Sequence, residues 1–318
     1  MKDITEGPGR TAIAVSHLKK TYGNVIAVED VSFEVSEGEI FGLLGPNGAG
    51  KTTTVECIIG LRHPEGGTIS VLGLDPQVDR EELHPVVGVQ LQSGTFPDKL
   101  KVSEILDMYQ SFYQHPASPA ELAQALGLSE KLGSYYKSLS GGQKQRLAVA
   151  LALIGQPKVA VLDEMTTGLD PQARLNTWEL IERTRDRGTT IILVSHYMEE
   201  AERLCDRVAL IDHGRIIALD TPHGLAEEVT GGKQVRFVPS QPFEDGLLTA
   251  LPEVRTLEHQ GKHIRVVGSG QLVNALVLTL ARNGVEALDI QMEGATLEDA
   301  FVQLTGRHIH EDTKAQST

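Results

Sequence analysis

Two cysteines in 318 residues, Cys57 and Cys205, lie far apart and in no C-x-x-C arrangement, so neither a disulfide framework nor a cysteine-ligated zinc site has support. Both read as small buried apolar residues of a chain in a reducing compartment. A basic surplus is also missing: 29 Lys and Arg stand against 43 Asp and Glu, a formal net charge of −14. With no long Lys/Arg run, an extended nucleic-acid surface is not expected. Long apolar runs are absent too. Leu147–Ile154 is the nearest candidate, far short of the roughly 18–20 residues that a membrane span needs. The opening MKDITEGPGR has no apolar stretch behind its charges, so no secretory signal is expected. The chain is read as soluble, and any role at a membrane would come through a partner. No long internal repeat appears, so a single catalytic unit is expected rather than a tandem pair.

What is present is an alternation of short apolar strands with helical stretches. Thr11–Val15 and the alternating Val31, Phe33 and Val35 read as strands with one buried face. Ile40–Leu44 is a short apolar run ending in a Gly-rich loop, and Lys51–Ile59 follows as a helix. Val86–Val89 reads as a strand ending at Gln92. From Ser93 the texture changes, with helical spacing over Val102–Tyr113 and Ala120–Leu126, so residues 93–157 read as a mostly helical insertion. Val159–Leu162, Ile191–Val194 and Val208–Ile211 restore the strand pattern around a helix over Pro171–Arg187, and Gly214–Ala218 reads as a last strand. Alternating elements of this kind argue for an α/β fold with parallel strands in its sheet.

Gly231-Gly232 opens a different segment. Its pattern predicts strand Gln234–Val238, helix Pro242–Leu251, strands Val254–Leu257 and His263–Val267, helix Gln271–Asn283, strand Val285–Ile290 and helix Thr296–Leu304. That βαββαβα order suggests a small α+β domain of ferredoxin-like arrangement over 231–306. Residues 307–318 are polar and expected to be disordered.

Gly45-Pro46-Asn47-Gly48-Ala49-Gly50-Lys51-Thr52 fits G-x-x-x-x-G-K-[ST], and its strand–loop–helix setting is the context that pattern requires. Consecutive backbone N–H groups at a helix start form an anion site for phosphates. Lys51 adds a charge toward the β- and γ-phosphates, and the Thr52 hydroxyl suits Mg²⁺. Val159–Leu162 runs into Asp163 and Glu164. An acid at Asp163 suits magnesium, and Glu164 would orient or deprotonate an attacking water.

A second motif, LSGGQ at Leu139–Gln143, narrows the class. Six motifs stand in one order: TYG at Thr21–Gly23, GPNGAGKTT at Gly45–Thr53, the Gln of GVQLQ, LSGGQ, VLDE with TGLD, and VSHYMEEAE. Over about residues 10–225 the chain resembles the ATP-binding subunit of an ABC transporter, which implies a P-loop ATPase domain over 10–230 with a mixed sheet core and a helical subdomain. The resemblance implies ATP and Mg²⁺ as cofactors, with Gly45 to Thr53 around the phosphates and Tyr22 stacked on adenine. It implies Gln92 near the metal and the attacking water, a register the family's spacing favours over Gln90. Ser140, Gly141 and Gly142 would contact the γ-phosphate held by a second copy, and Asp170 would lie across that interface. His196 would sense the γ-phosphate and act in catalysis with Glu164, Gln92 and Lys51. Met165 departs from the family's usual Pro after the Glu, but it removes no catalytic group.

Two implied partners follow: an ATP-dependent second copy of the chain, and a separately encoded permease gripped near Ser93–Leu100 and the helical insertion. The ending ATLEDAFVQLTGR resembles the tail of drug-type exporter subunits, which tilts the expected direction toward export. A soluble ABC ATPase acting on ribosomes or nucleic acid is the rival. Such proteins bring tandem units or long coiled coils, and neither is present. The C-terminal domain as a ligand-binding regulator is a third reading, compatible with the first.

Overall fold

The computed structural model describes residues 10–91, 95–230, 233–293 and 296–305. Gln92 and the tail from 307 lie outside them. Two compact units divide at Asp220/Thr221. The first contains, in chain order, β1 (Thr11–Tyr22), β2 (Val25–Ser36), β3 (Ile40–Leu44), α1 (Lys51–Ile58), β4 (Gly66–Val71), α2 (Arg80–Leu83), β5 (Val87–Gln90), α3 (Val102–Gln110), α4 (Pro119–Ala125), α5 (Gly141–Leu153), β6 (Val159–Asp163), α6 (Pro171–Asp186), β7 (Thr190–Ser195), α7 (Met198–Leu204), β8 (Arg207–Asp212) and β9 (Arg215–Asp220). The second contains α8 (Pro222–Thr230), β10 (Lys233–Pro239), α9 (Gly246–Thr249), β11 (Val254–Gln260), β12 (His263–Gly268), α10 (Leu272–Arg282), β13 (Ala287–Glu293) and α11 (Leu297–Thr305).

Nine strands form one mixed sheet in the order β4-β1-β2-β9-β8-β3-β7-β6-β5. Strands β5, β6, β7, β3 and β8 run parallel, whereas β4-β1-β2 and the β8-β9 pair are antiparallel. Every residue of β3, β6 and β7 is buried. Parallel strands covered on both faces read as continuous apolar runs, which is why these three are plain in the sequence. β1 is longer than its apolar start at Thr11–Val15 suggests, and register shifts carry it on to Tyr22.

The pairing sets what meets at the sheet's carboxyl edge. Leu44 lies opposite Ser195, Asp163 opposite Val194, and Gln90 opposite Leu162. The loop after β3, the acids ending β6 and the histidine after β7 therefore emerge together, the edge at which open α/β sheets bind ligands.

Between β5 and β6 the chain is mostly helical. α3 and α4 pack on α5, and α5 also packs on β5 and β6. A β-carbon at Gly88 of β5 would fall 2.0 Å from the Ala152 carbonyl oxygen and 2.9 Å from Pro157 Cγ. A side chain at residue 88 would therefore hold α5 off the sheet.

In the second unit four antiparallel strands take the order β11-β12-β10-β13. Leu248 of α9 and Leu272, Leu276 and Leu280 of α10 share one buried cluster with Val235, Phe237, Ile264 and Val266, so both helices cover the same face. The helix expected over Pro242–Leu251 forms only as the four-residue α9. Asp245 before it pairs with His259 of β11 at 2.8 Å. α8 lies on the C-terminal side of the division, ten residues before the boundary read at 230. It packs on α11; Leu225 and Ala226 are buried on the one, Leu297, Ala300 and Phe301 on the other.

Gly88→Ala is expected to destabilise the chain by about 1–3 kcal/mol, the usual range for overpacking, seen as a lower denaturant midpoint with an unchanged slope. A midpoint equal to wild type would show that α5 can move off the sheet at no cost.

Candidate active site

The loop from Gly45 to Gly50 turns back sharply between β3 and α1. Gly50 precedes the helix at φ 103°, and a β-carbon there would lie 2.3 Å from the Ala27 carbonyl oxygen. Only glycine satisfies both the left-handed backbone and the close approach. Lys51, 6% exposed, directs its Nζ back to the carbonyls of Gly45 (2.7 Å) and Pro46 (2.9 Å). Burial lowers its pKa, against the attraction of Glu164 and Asp163.

Thr52 Oγ1 lies 3.2 Å from Asp163 Oδ2. Asp163 is 1% exposed, and burial, with the neighbouring Glu164 charge, pushes its carboxyl up to about 6, against Thr52 and Lys51. Glu164 leaves the strand at φ 51°, a left-handed conformation uncommon outside glycine and clustered at functional sites. Its N–H donates to Val194 O (2.8 Å), its carbonyl accepts from Gln145 Nε2 (2.8 Å) and Thr167 N (3.2 Å), and Oε1 lies 3.0 Å from His196 Nδ1.

Tyr22, Asn47, Gly48, Gly50, Lys51, Thr52, Thr53 and Glu164 line one cleft of about 510 Å³. Tyr22 is 41% exposed at its mouth, with Lys20 and Arg62 over its ring. Ser140 and Asp170 are not in that cleft lining. Each caps a helix instead: Ser140 Oγ accepts from Gln143 N (3.3 Å) while Gln143 Oε1 accepts from Ser140 N (2.9 Å), and Asp170 Oδ1 accepts from Ala173 N (2.9 Å). Gly141 and Gly142 form the first turn of α5; Ser140 and Gly141 are exposed, and Gly142 is half-buried. Gln92 lies outside the described residues.

One further contributor was set aside in the sequence as the less favoured glutamine register, and another escaped the sequence reading. Gln90, 2% exposed, donates to the Asp163 carbonyl at 2.9 Å, and Gln145 fixes the Glu164 carbonyl. A polar residue closing an otherwise apolar buried strand was the visible signal for Gln90. Gln145 carried none, because its partner lies nineteen residues on, across the sheet edge.

A phosphate-binding loop with a buried lysine, an adjacent hydroxyl–carboxylate pair and a glutamate held by histidine, all at one sheet edge, define the class: a P-loop nucleoside triphosphatase. A sequence model of the ABC transporter family matches residues 28–167. The chain is 38% identical over 305 residues to the Nod factor export ATP-binding protein I of Rhizobium etli, spanning 94% of this chain and 95% of that protein. It also resembles the solved ATP-binding subunit of an ABC transporter, at 30% identity and TM-score 0.63, over 69% of this chain and 93% of that one. A dimeric ATP-binding cassette in a post-hydrolysis state with ADP and Pi shares the fold at TM-score 0.60 and 24% identity, over 66% and 98%. The chain belongs to the ATP-binding subunits of ABC transporters, and its activity is ATP hydrolysis coupled to transport.

The raised Asp163 carboxyl has a measurable consequence. Between its unfolded value of 3.8 and about 6 the folded chain binds the proton more tightly, so stability falls as pH rises through that window. Asp163→Asn, which cannot ionise, is expected to stabilise the nucleotide-free protein by up to about 3 kcal/mol at pH 7.5. That gain should shrink as pH falls below 6. A pH-independent change in thermal midpoint would contradict the assignment.

Proposed function

We propose that this chain powers an exporter as one of two identical ATPase subunits bound to a separately encoded permease. One observation carries the reading: Lys51, Thr52 and Glu164 line one cleft, with Asp163 bonded to Thr52 and His196 to Glu164, while Ser140, Gly141, Gly142 and Asp170 are neither in that lining nor bonded to these groups. A site split in this way is completed by a second copy, whose α5 N-terminus would present N–H groups to the γ-phosphate. Asp170 then lies across the interface.

The phosphate groups of ATP sit on the N–H groups of the loop from Gly45 to Thr53 and against Lys51, with adenine on Tyr22. Glu164 takes the proton of the attacking water, and His196 holds its carboxylate in the orientation that reaches that water. Thr52 and Asp163, with Gln92, would hold Mg²⁺. The donors fit, being hard oxygens side by side. Among the described residues no group of three His, Cys, Asp or Glu could hold a metal, in keeping with an ion that takes one or two carboxylates plus substrate phosphates. When bound, that ion supplies neutralisation of developing charge on the phosphates.

No helix among the described residues is long and apolar enough to cross a membrane, so the permease is read as a separate protein and this subunit as peripheral on its cytoplasmic face. The export function named for the relative from Rhizobium etli, together with the ATLEDAFVQLTGR ending, supports export of a small or amphipathic compound. Strand order β11-β12-β10-β13, with both crossing helices on one face, supports the ferredoxin-like reading of the second unit. The acidic balance disfavours the rival on ribosomes or nucleic acid.

Glu164→Gln is expected to cut ATP turnover by about 10²–10⁴-fold, the span of general acid–base catalysis, while keeping ATP affinity. Hydrolysis near the wild-type rate would remove Glu164 from that role. Tagged Glu164→Gln protein with ATP, drawn from detergent-solubilised host membranes, should bring down a multi-span membrane protein in stoichiometric amount. Recovery of only ribosomes or soluble protein would overturn the transporter reading.

A further inference from the structure

Glu200 on α7 is wholly buried, and nothing in the mechanism above uses it. A carboxylate withdrawn from water is expensive unless it is hydrogen-bonded, and an apolar residue would pack there at lower cost. Glu200 Oε1 accepts from Thr166 Oγ1 at 2.8 Å and from Trp178 Nε1 at 3.1 Å. Burial raises its pKa, against hydrogen bonds from Ser195, Trp178 and Thr166. Thr166 and Trp178 are themselves 1% and 3% exposed.

The positions of these partners matter more than their number. Thr166 lies two residues after Glu164, and Glu200 four residues after His196. The segment 195–204 and the loop 164–170 are therefore tied twice. Glu164 Oε1 and His196 Nδ1 meet at 3.0 Å on the cleft side, and Thr166 meets Glu200 on the buried side. The first tie joins groups with chemistry to perform. The second joins buried groups. With Glu164 held at φ 51°, a shift of its loop would change both the angle and the length of the His196 contact.

We propose that Glu200 is a positioning residue: through Thr166 it anchors the loop carrying Glu164 to the segment carrying His196, and so keeps that pair in catalytic alignment. This rests on Glu164 being the group that activates water. Trp178 has a different part, since it fastens Glu200 to α6 and makes no bond to the loop.

The test is steady-state ATP hydrolysis by the full chain, with ATP affinity and thermal midpoint measured on each variant. Thr166→Val deletes one hydroxyl and is expected to lower kcat by about ten- to a hundredfold, as small misplacements of catalytic groups do, at unchanged KM. Glu200→Gln keeps an oxygen that accepts both bonds and should restore near wild-type turnover where Glu200→Ala does not. Thr166→Val added to Glu200→Ala should cost nothing further, the sign of residues acting as one unit. Trp178→Phe should spare kcat. Wild-type kcat in Thr166→Val would overturn the proposal. So would losses in Thr166→Val and Trp178→Phe that merely track a lowered thermal midpoint. Should Glu200→Ala fail to fold, that pair of variants decides alone. Glu164→Gln separates the two readings: if it is inactive while Thr166→Val is not, only the role of Glu200 falls, and if it stays active the assignment beneath it falls as well.

Discussion

Three parallel strands, β3, β7 and β6, must hold one register for anything else here to work. Each is buried along its whole length, and each delivers a different chemical group at its carboxyl end. A slip by one residue in β6 would turn Asp163 to the opposite face of the sheet, away from Thr52, and carry Glu164 with it. Apolar packing above and below the sheet therefore does more than stabilise the first unit. It sets the distances among Lys51, Asp163 and His196, which lie far apart in the chain. The mixed edge of β1, β2, β4 and β9 contributes Tyr22 and the Ala27 carbonyl against which Gly50 is fitted.

Upon that frame the site places charge where water is scarce. Lys51 and Asp163 are both nearly inaccessible, and burial moves each toward its neutral form. In the proposed complex a triphosphate would give Lys51 an anion and a magnesium ion would give Asp163 a cation, so that ligand binding would relieve a cost already present in the fold. Electrostatic terms of this kind are larger in a water-poor cleft than at the surface. Folding strength has been exchanged for a prepared site, as stability commonly is in active sites.

Much of this was legible before any coordinates. The parallel core strands announced themselves as short β-branched runs, and the glycine loop with its lysine, the acids after β6 and His196 each sat in a motif. Elements lacking a buried periodic face were harder. β4 has two buried residues in six, and α9 is a single turn. Supporting residues were least visible of all. Gln90, Gln145, Thr166 and Glu200 act on partners distant in sequence, and a single polar side chain in a helix gives no hint of whose carbonyl or hydroxyl it meets across a fold.

The caps on α5 and α6 have a kinetic consequence. Ser140 and Gln143 satisfy one another's backbone groups, and Asp170 closes the first turn of α6, within a single chain. Both helix ends are thus rigid before any second copy arrives. In the proposed dimer the encounter would order no new turn and would leave the nucleotide as the main adhesive between two finished surfaces. The lifetime of that closed pair would then be timed by the γ-phosphate bond, and the subunit would behave as a clock that runs once per ATP.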